Sequence, residues 1–116
     1  MKKRCETDLV REILQYLELR KKTGVGGAWR QNNGAATGES NGKRRFIRFT
    51  SMPGIADVIG ILKPSGRMLA IEAKMPGNKP TEDQQNFLDL IDGSGGVAFV
   101  AWSLDDVISR LRKEGL

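Results

Sequence analysis

Two short apolar segments separated by a turn constrain the fold of this chain more than any other feature. They are residues 54–63, GIADVIGILK, and residues 67–75, RMLAIEAKM, and the turn between them has the sequence PSG. Two apolar runs joined by such a turn predict an antiparallel hairpin within a core sheet. Both runs nevertheless carry charged residues, and burying a charge is costly unless it is paired. Lys63 and Arg67 flank the turn, whereas Asp57, Glu72 and Lys74 lie within the apolar segments.

The spacing of these charges indicates a metal site. Strand alternation places Glu72 and Lys74 on one face of the sheet, and the hairpin brings Asp57 close to Glu72. Two adjacent carboxylates repel each other unless a cation lies between them. Mg²⁺ or Mn²⁺ would relieve the repulsion, with oxygen ligands from both acids, the Ala73 carbonyl and water. Lys74 would then orient or deprotonate an attacking water, or stabilise charge on a phosphate.

Composition excludes several other classes of protein. The 116 residues suffice for one domain, and the chain has no long apolar run that predicts a membrane span. It has no histidine, which removes Ser-His-Asp and Cys-His catalysis and histidine metal ligands. The single cysteine, Cys5, has no partner for an internal disulfide, which favours a reducing, cytoplasmic setting. We expect no organic cofactor.

Charge is distributed unevenly along the chain. Residues 1–50 hold 12 basic and 5 acidic residues, whereas residues 51–116 hold 7 basic and 9 acidic residues. A basic half beside a mildly acidic half suits a polyanionic partner such as nucleic acid. The alternative is that the charge serves solubility alone.

Apolar periodicity predicts an α/β protein with the element order α-β-β-β-α-β-α. We expect a helix over 6–22, strands at 44–51 and in the two hairpin segments, a helix over 81–92, a buried strand at 97–103 and a last helix capped by Ser103. Residues 23–45 contain six glycines and three asparagines, which predicts a mobile, basic loop or a hairpin around GAWRQNNG. We expect a single domain over 1–116 that includes this loop.

The ordered motifs resemble those of a known nuclease family. The pattern Asp57-x14-Glu72-Ala73-Lys74 resembles the PD-(D/E)XK nuclease signature. Together with GIADVIG, TEDQQNFL and GGVAFVAWSLDD, it resembles stand-alone, phage-like members of the VRR-NUC group, the virus-type replication-repair nucleases. The resemblance covers about residues 44–108 and the leading helix. Ala56 replaces the proline of the family pattern, but that proline does no chemistry and the Gly54-x-x-Asp57 spacing is kept.

The resemblance implies a restriction-endonuclease-like mixed sheet flanked by helices, and roles for particular residues. Asp57 and Glu72 would hold metal with the Ala73 carbonyl, and Lys74 would be the catalytic lysine. Glu6 would complete the metal shell, and Gln84 would support the site. Four of these residues have structural alternatives. Glu6 suits any helix N-terminus, and Gln84 forms a capping-box pattern with Thr81. Glu72 and Lys74 could instead be an exposed pair on an edge strand, although the flanking residues are too apolar for a strand lying in water.

A second set of residues is predicted to contact DNA. The basic side chains are Arg30, Lys43, Arg44, Arg45 and Arg48, which would track phosphates. Trp29 would stack on a base or a sugar, or alternatively anchor its own loop or a subunit contact.

Taken together, the residues and the resemblance predict a metal-dependent DNA endonuclease with one or two Mg²⁺ or Mn²⁺ ions per site. The resemblance suggests 5′-phosphate products and a branched substrate, most of all a four-way (Holliday) junction. Two symmetric cuts in a junction need two sites, which predicts a homodimer. The alternatives are a flap, nick or single-strand nuclease, a non-catalytic DNA-binding module on the same fold, and an RNA-directed nuclease.

Overall fold

The computed structural model describes residues 3–31, 35–40, 43–48 and 52–116, and in 35–40 and 43–48 it describes the backbone alone. Nine elements follow one another in this part of the chain. They are α1 Glu6–Leu19, β1 Val25–Arg30, β2 Ala35–Ser40, β3 Lys43–Arg48, β4 Val58–Leu62, β5 Met68–Ala73, α2 Glu82–Gly93, β6 Val97–Ala101 and α3 Leu104–Lys113.

A four-stranded mixed sheet forms the centre of the fold, with the strand order β1-β4-β5-β6. The pairs β1–β4 and β4–β5 are antiparallel, whereas β5 and β6 are parallel and are joined through α2. When the β2–β3 ribbon is set aside, the order of elements is the predicted α-β-β-β-α-β-α. The predicted hairpin is confirmed, because Val58 pairs with Ile71 and Ile59 pairs with Ala70.

The first strand of the sheet comes from a segment that we predicted to be a loop. Val25–Arg30 forms β1 and Ala35–Ser40 forms β2, so the loop prediction for 23–45 is wrong over these two segments. The alternative, a hairpin around GAWRQNNG, includes residues 32–34, which lie outside the described residues. The physical reason is that the second edge of β4 needs a hydrogen-bonding partner strand. The glycines let β1 and β4 approach each other closely and do not make the segment a loop. A Cβ on Gly60 would lie 2.8 Å from the Gly27 carbonyl oxygen.

The strand predicted at 44–51 exists but belongs to a different sheet. It corresponds to β3, Lys43–Arg48, which pairs with β2 in a separate antiparallel ribbon. Residues 49–51 lie outside the part that the structure describes. The prediction of a strand is therefore confirmed for the described residues of this segment, and the strand lies outside the four-stranded sheet.

Two helices cover one face of the central sheet. α1 and α3 bury a cluster that includes Leu9, Ile13 and Leu17 from α1 and Val107 and Leu111 from α3. The predicted end of the first helix at residue 22 is wrong, because α1 ends at Leu19 and a turn follows it. The predicted Ser103 cap is confirmed, since its hydroxyl accepts the Asp106 backbone N–H at 3.2 Å.

The other face is covered only in part. α2 packs Phe87, Leu88 and Ile91 against Ile59 of β4, Ala70 of β5 and Ala98 of β6. Trp29, Ile61 and Met68 remain exposed beside it. Within the described residues, no helix is long and apolar enough to cross a membrane.

Candidate active site

The two predicted acids meet at one end of the β4–β5 hairpin. Asp57 directly precedes β4, and Glu72 is the penultimate residue of β5. The register that pairs Val58 with Ile71 continues to place Asp57 opposite Glu72. The prediction that the hairpin would bring these two residues together is therefore correct.

A hydrogen bond fixes the position of the Asp57 carboxylate. Its Oδ2 accepts the backbone N–H of Ala73 at 3.0 Å. Ladder pairing between β4 and β5 ends next to this point, so the Asp57 side chain takes the place of a backbone carbonyl at the end of the hairpin.

Glu72 is buried without a full set of partners. The residue is 2% exposed, and within the described residues its Oε1 is the one buried side-chain oxygen or nitrogen without a hydrogen bond. Burial, followed by the hydrogen bond and the charge of Asp57, raises the pKa of Glu72 from 4.5 to about 9. A buried oxygen without a hydrogen bond lowers the free energy of unfolding unless a proton or a cation occupies the site.

Lys74 places a positive charge beside this pair. Its Nζ lies 3.8 Å from Glu72 Oε2, and its side chain is 12% exposed. The positive charge lowers the pKa of Glu72, although less than burial and Asp57 raise it. Alternation along β5 puts Glu72 and Lys74 on one face, as predicted.

Glu6 lies at the start of α1, close enough to act on the site electrostatically. Its negative charge adds to the upward shift of the pKa of Glu72. Glu6 is also in the first turn of α1, where a negative charge favours the helix N-terminus. Both the structural and the functional interpretation of Glu6 agree with this position.

Gln84 lies in the first turn of helix α2, beside the motif that carries Asp57. The Thr81 hydroxyl accepts the Gln84 backbone N–H at 3.2 Å, and Gln84 Oε1 accepts the Thr81 backbone N–H at 2.9 Å. The predicted capping box is therefore present. Gly54 lies so close to this turn that a Cβ would collide with the Asp83 carbonyl and lie 2.6 Å from the Gln84 nitrogen. Its φ of +75° also favours glycine.

The predicted DNA-contacting residues fall into two groups. Trp29 and Arg30 end β1 and are exposed, and strand alternation puts them on opposite faces of the sheet. The others lie in β3, where side chains are outside the description, so their contact with DNA stays a prediction. They are Lys43, Arg44, Arg45 and Arg48.

One residue next to the acids was missed by sequence reasoning. Gln31 donates its backbone N–H to the Asp57 carbonyl at 2.7 Å. Its side chain accepts the indole N–H of Trp29 at 3.3 Å. The pairing of β1 with β4 was the missing signal, because it places Gln31 beside Asp57, and the predicted loop concealed it.

A family model bears directly on this geometry. The model described as the VRR-NUC domain matches residues 7–104, most of the chain and all of the candidate site except Glu6. The chain belongs to the VRR-NUC family. A comparison with curated proteins found no match.

Membership of the VRR-NUC family establishes a nuclease-type role in DNA processing on a PD-(D/E)XK-like fold. It agrees with the mixed sheet and with the acid pair at the end of the hairpin. Nucleases of this kind are in general metal-dependent.

The donor set of this VRR-NUC domain fits a hard divalent cation. Among residues 3–31 and 52–116 no group of three or more His, Cys, Asp or Glu side chains converges to hold a metal alone. Mg²⁺ keeps several waters and needs only one or two carboxylates. Asp57 and Glu72 supply those two, and the unpartnered Glu72 Oε1 is an oxygen that a cation would satisfy. The part of Glu6 in the metal shell stays a prediction.

Proposed function

We propose that the protein is a Mg²⁺- or Mn²⁺-dependent endonuclease that hydrolyses DNA phosphodiesters. Its active site would consist of Asp57, Glu72 and Lys74. The observation that carries this proposal is the buried, unpartnered Glu72 oxygen beside Asp57. A module that only binds DNA gains nothing from two acids near a phosphate. A hydrolytic site needs both acids, because they hold the cation that the reaction uses.

Each residue has a separate task in this proposal. Asp57 and Glu72 hold the cation, with Asp57 kept in place by the Ala73 N–H and Glu72 by the buried strand. The ion, when bound, would polarise the phosphate and lower the pKa of a water. Lys74 places its ammonium group beside the same carboxylate, where it stabilises negative charge that develops on the phosphate.

The bond changes are those of phosphodiester hydrolysis. A water oxygen bonds to phosphorus, the bond from phosphorus to the 3′ oxygen breaks, and that oxygen takes up a proton. The products are a 5′-phosphate and a 3′-hydroxyl. Lys74 and the two acids need not change their covalent structure in this reaction.

We further propose that the substrate is a four-way junction and that the active species is a homodimer. One chain carries one acid pair, and resolving a junction takes two symmetric cuts. A two-fold dimer matches the two-fold symmetry of such a junction. The basic excess of residues 1–50 supports a large polyanionic partner.

A panel of labelled DNA substrates tests this proposal. The wild-type protein is incubated with a four-way junction, a flap, a nicked duplex, a linear duplex, single-stranded DNA and single-stranded RNA. Each is run with Mg²⁺, with Mn²⁺ and with EDTA. We expect paired symmetric cuts in the junction, only when a metal is present, and a dimeric mass by light scattering with junction DNA.

The alternatives correspond to other outcomes of the same panel. Preferred cleavage of the flap, nick or single strand would replace the junction as substrate while keeping the enzyme. Cleavage of RNA alone would change the nucleic acid. Binding without cleavage under every metal would overturn the enzyme and favour a DNA-binding module. A monomeric mass on junction DNA would overturn the dimer.

A further inference from the structure

The end of β1 lies beside the acid pair. Trp29 pairs with Ile59 and Arg30 pairs with Val58, so Gln31 is opposite Asp57 in the same register. The backbone bond from Gln31 to the Asp57 carbonyl continues this ladder. Because paired residues of neighbouring strands share a face, Gln31, Asp57 and Glu72 form one row across the sheet.

A hydrogen bond determines which end of the Gln31 amide is available. The Trp29 indole nitrogen can only donate, so the oxygen of the amide faces it, at 3.3 Å. The NH₂ group of Gln31 is therefore the end that this bond leaves available. A side chain held in this way presents donors and no free carbonyl.

Gln84 has an amide of the same polarity. Its Oε1 accepts the Thr81 backbone N–H, which leaves the NH₂ group as the donor end. The Gln84 backbone nitrogen lies close to Gly54, three residues before Asp57. A phosphodiester oxygen only accepts hydrogen bonds, so amide NH₂ groups near Asp57 match it chemically.

The end of β1 is in part exposed to solvent. Trp29 is 45% exposed, and Gln31 is only partly buried. Trp29 pairs with Ile59, so its side chain lies on the face against which α2 packs Phe87, Leu88 and Ile91. A tryptophan that served only the core would be buried.

We propose that Gln31, held by Trp29, donates its amide N–H groups to a phosphate of the DNA strand bound beside Asp57. This inference rests on the proposed function and adds a substrate-positioning residue to it. Trp29 fixes the orientation of the amide, and its exposed ring borders the same strand.

The test compares Gln31→Met with wild type. Methionine has a similar length and no donor, and Gln15→Met on the exposed face of α1 is the matched control. Affinity for a labelled four-way junction is measured by fluorescence anisotropy, in Ca²⁺ and in EDTA, over a series of salt concentrations. Mn²⁺ affinity and the melting temperature are measured for each protein without DNA.

We expect Gln31→Met to weaken DNA binding about tenfold, since it removes a hydrogen bond to a charged group. Gln15→Met should bind as wild type does. Trp29→Phe keeps an aromatic ring but has no N–H to hold the Gln31 amide, and we expect DNA affinity to fall about threefold. The slope of affinity against salt should be unchanged in Gln31→Met, because glutamine neutralises no phosphate. Mn²⁺ affinity and melting temperature should also be unchanged.

Several results would overturn the inference, and they are distinguishable from failure of the proposed function. Wild-type affinity in Gln31→Met overturns the phosphate contact alone. A loss that is accompanied by weaker Mn²⁺ binding or a lower melting temperature makes Gln31 a structural support and also overturns it. If wild type binds DNA without cleaving it, the enzyme fails while the affinity comparison still decides the contact. If wild type does not bind DNA, both proposals fail.

Discussion

The Asp57 carboxylate is bound to the backbone N–H of Ala73, the residue that follows Glu72 on the neighbouring strand. This bond holds two acids together that would otherwise separate. It also explains why the pKa of Glu72 depends on Asp57 both through a hydrogen bond and through charge. The acid pair is therefore built into the end of the hairpin rather than displayed on a loop.

Asp57→Asn tests the electrostatic part of this relationship. The amide oxygen of asparagine still accepts the Ala73 N–H, so we expect the fold to be kept. Removing the charge should lower the pKa of Glu72, measured by NMR titration of the metal-free protein, and cut nuclease activity by about a hundredfold or more. Asp105→Asn, an exposed acid on α3, is the control. An unchanged pKa of Glu72 would contradict the coupling.

Glu72→Gln tests the cost of the buried acid. A pKa raised from 4.5 to about 9 means that the folded, metal-free protein holds a proton that the unfolded chain releases. This contribution to the free energy of unfolding is present below pH 4.5 and is lost as pH rises toward 9. Glu72→Gln removes this pH-dependent contribution. The free energy of unfolding of the variant, relative to that of wild type, should therefore increase between pH 4.5 and about pH 9.

Urea denaturation in EDTA at pH 5, 7 and 9 measures this difference. Glu82→Gln, in the exposed first turn of α2, is the matched control and should show no comparable trend. If the free energies of unfolding of wild type and Glu72→Gln change in parallel from pH 5 to pH 9, burial does not raise the pKa of Glu72.

Gly54→Ala tests how the motif before Asp57 is seated against α2. Gly54 and Gly66 have nearly equal φ angles, +75° and +77°, but only Gly54 has backbone atoms where a Cβ would lie. Gly66→Ala should cost about 1 kcal/mol from the left-handed backbone alone. Gly54→Ala should cost about 3 kcal/mol, because overpacking is added. Equal losses in urea denaturation would contradict the close contact.

Gln84→Glu separates the capping role of Gln84 from its predicted role in supporting the active site. Glutamate keeps an oxygen for the Thr81 N–H and suits a helix N-terminus, so the melting temperature should stay as in wild type. It has no NH₂ group, so we expect nuclease activity to fall about tenfold. Gln84→Ala should lose both stability and activity. Full nuclease activity in Gln84→Glu would show that Gln84 serves only to cap helix α2.

The hairpin and the helices were predictable because their signals are local. Alternation, the PSG turn, the Thr81–Gln84 pattern and the serine before α3 each act within a few residues, and the acid pair follows from hairpin register. The structure differs where long-range pairing decides. Val25–Arg30 is glycine-rich and favours a loop by local preference, yet it becomes β1 because it pairs with β4, about 30 residues further along the chain.

The same long-range pairing explains what was missed at the site. Gln31 has no motif of its own, and only the β1–β4 register places it beside Asp57. The burial of Glu72 was foreseeable from its apolar neighbours, whereas the unpartnered state of its Oε1 depends on packing around the sheet that no local pattern encodes.

Single-turnover cleavage of a four-way junction by Lys74→Met tests whether Lys74 acts with Asp57 and Glu72 to cut DNA. Methionine keeps the length of the side chain and removes the charge beside Glu72, while Lys113→Met at the exposed end of α3 is the matched control. We predict that wild type and Lys113→Met cleave at the same rate in Mg²⁺, and that Lys74→Met is slower by about a hundredfold or more with Mn²⁺ still bound. Cleavage by Lys74→Met at the wild-type rate would show that Lys74 takes no part in the reaction.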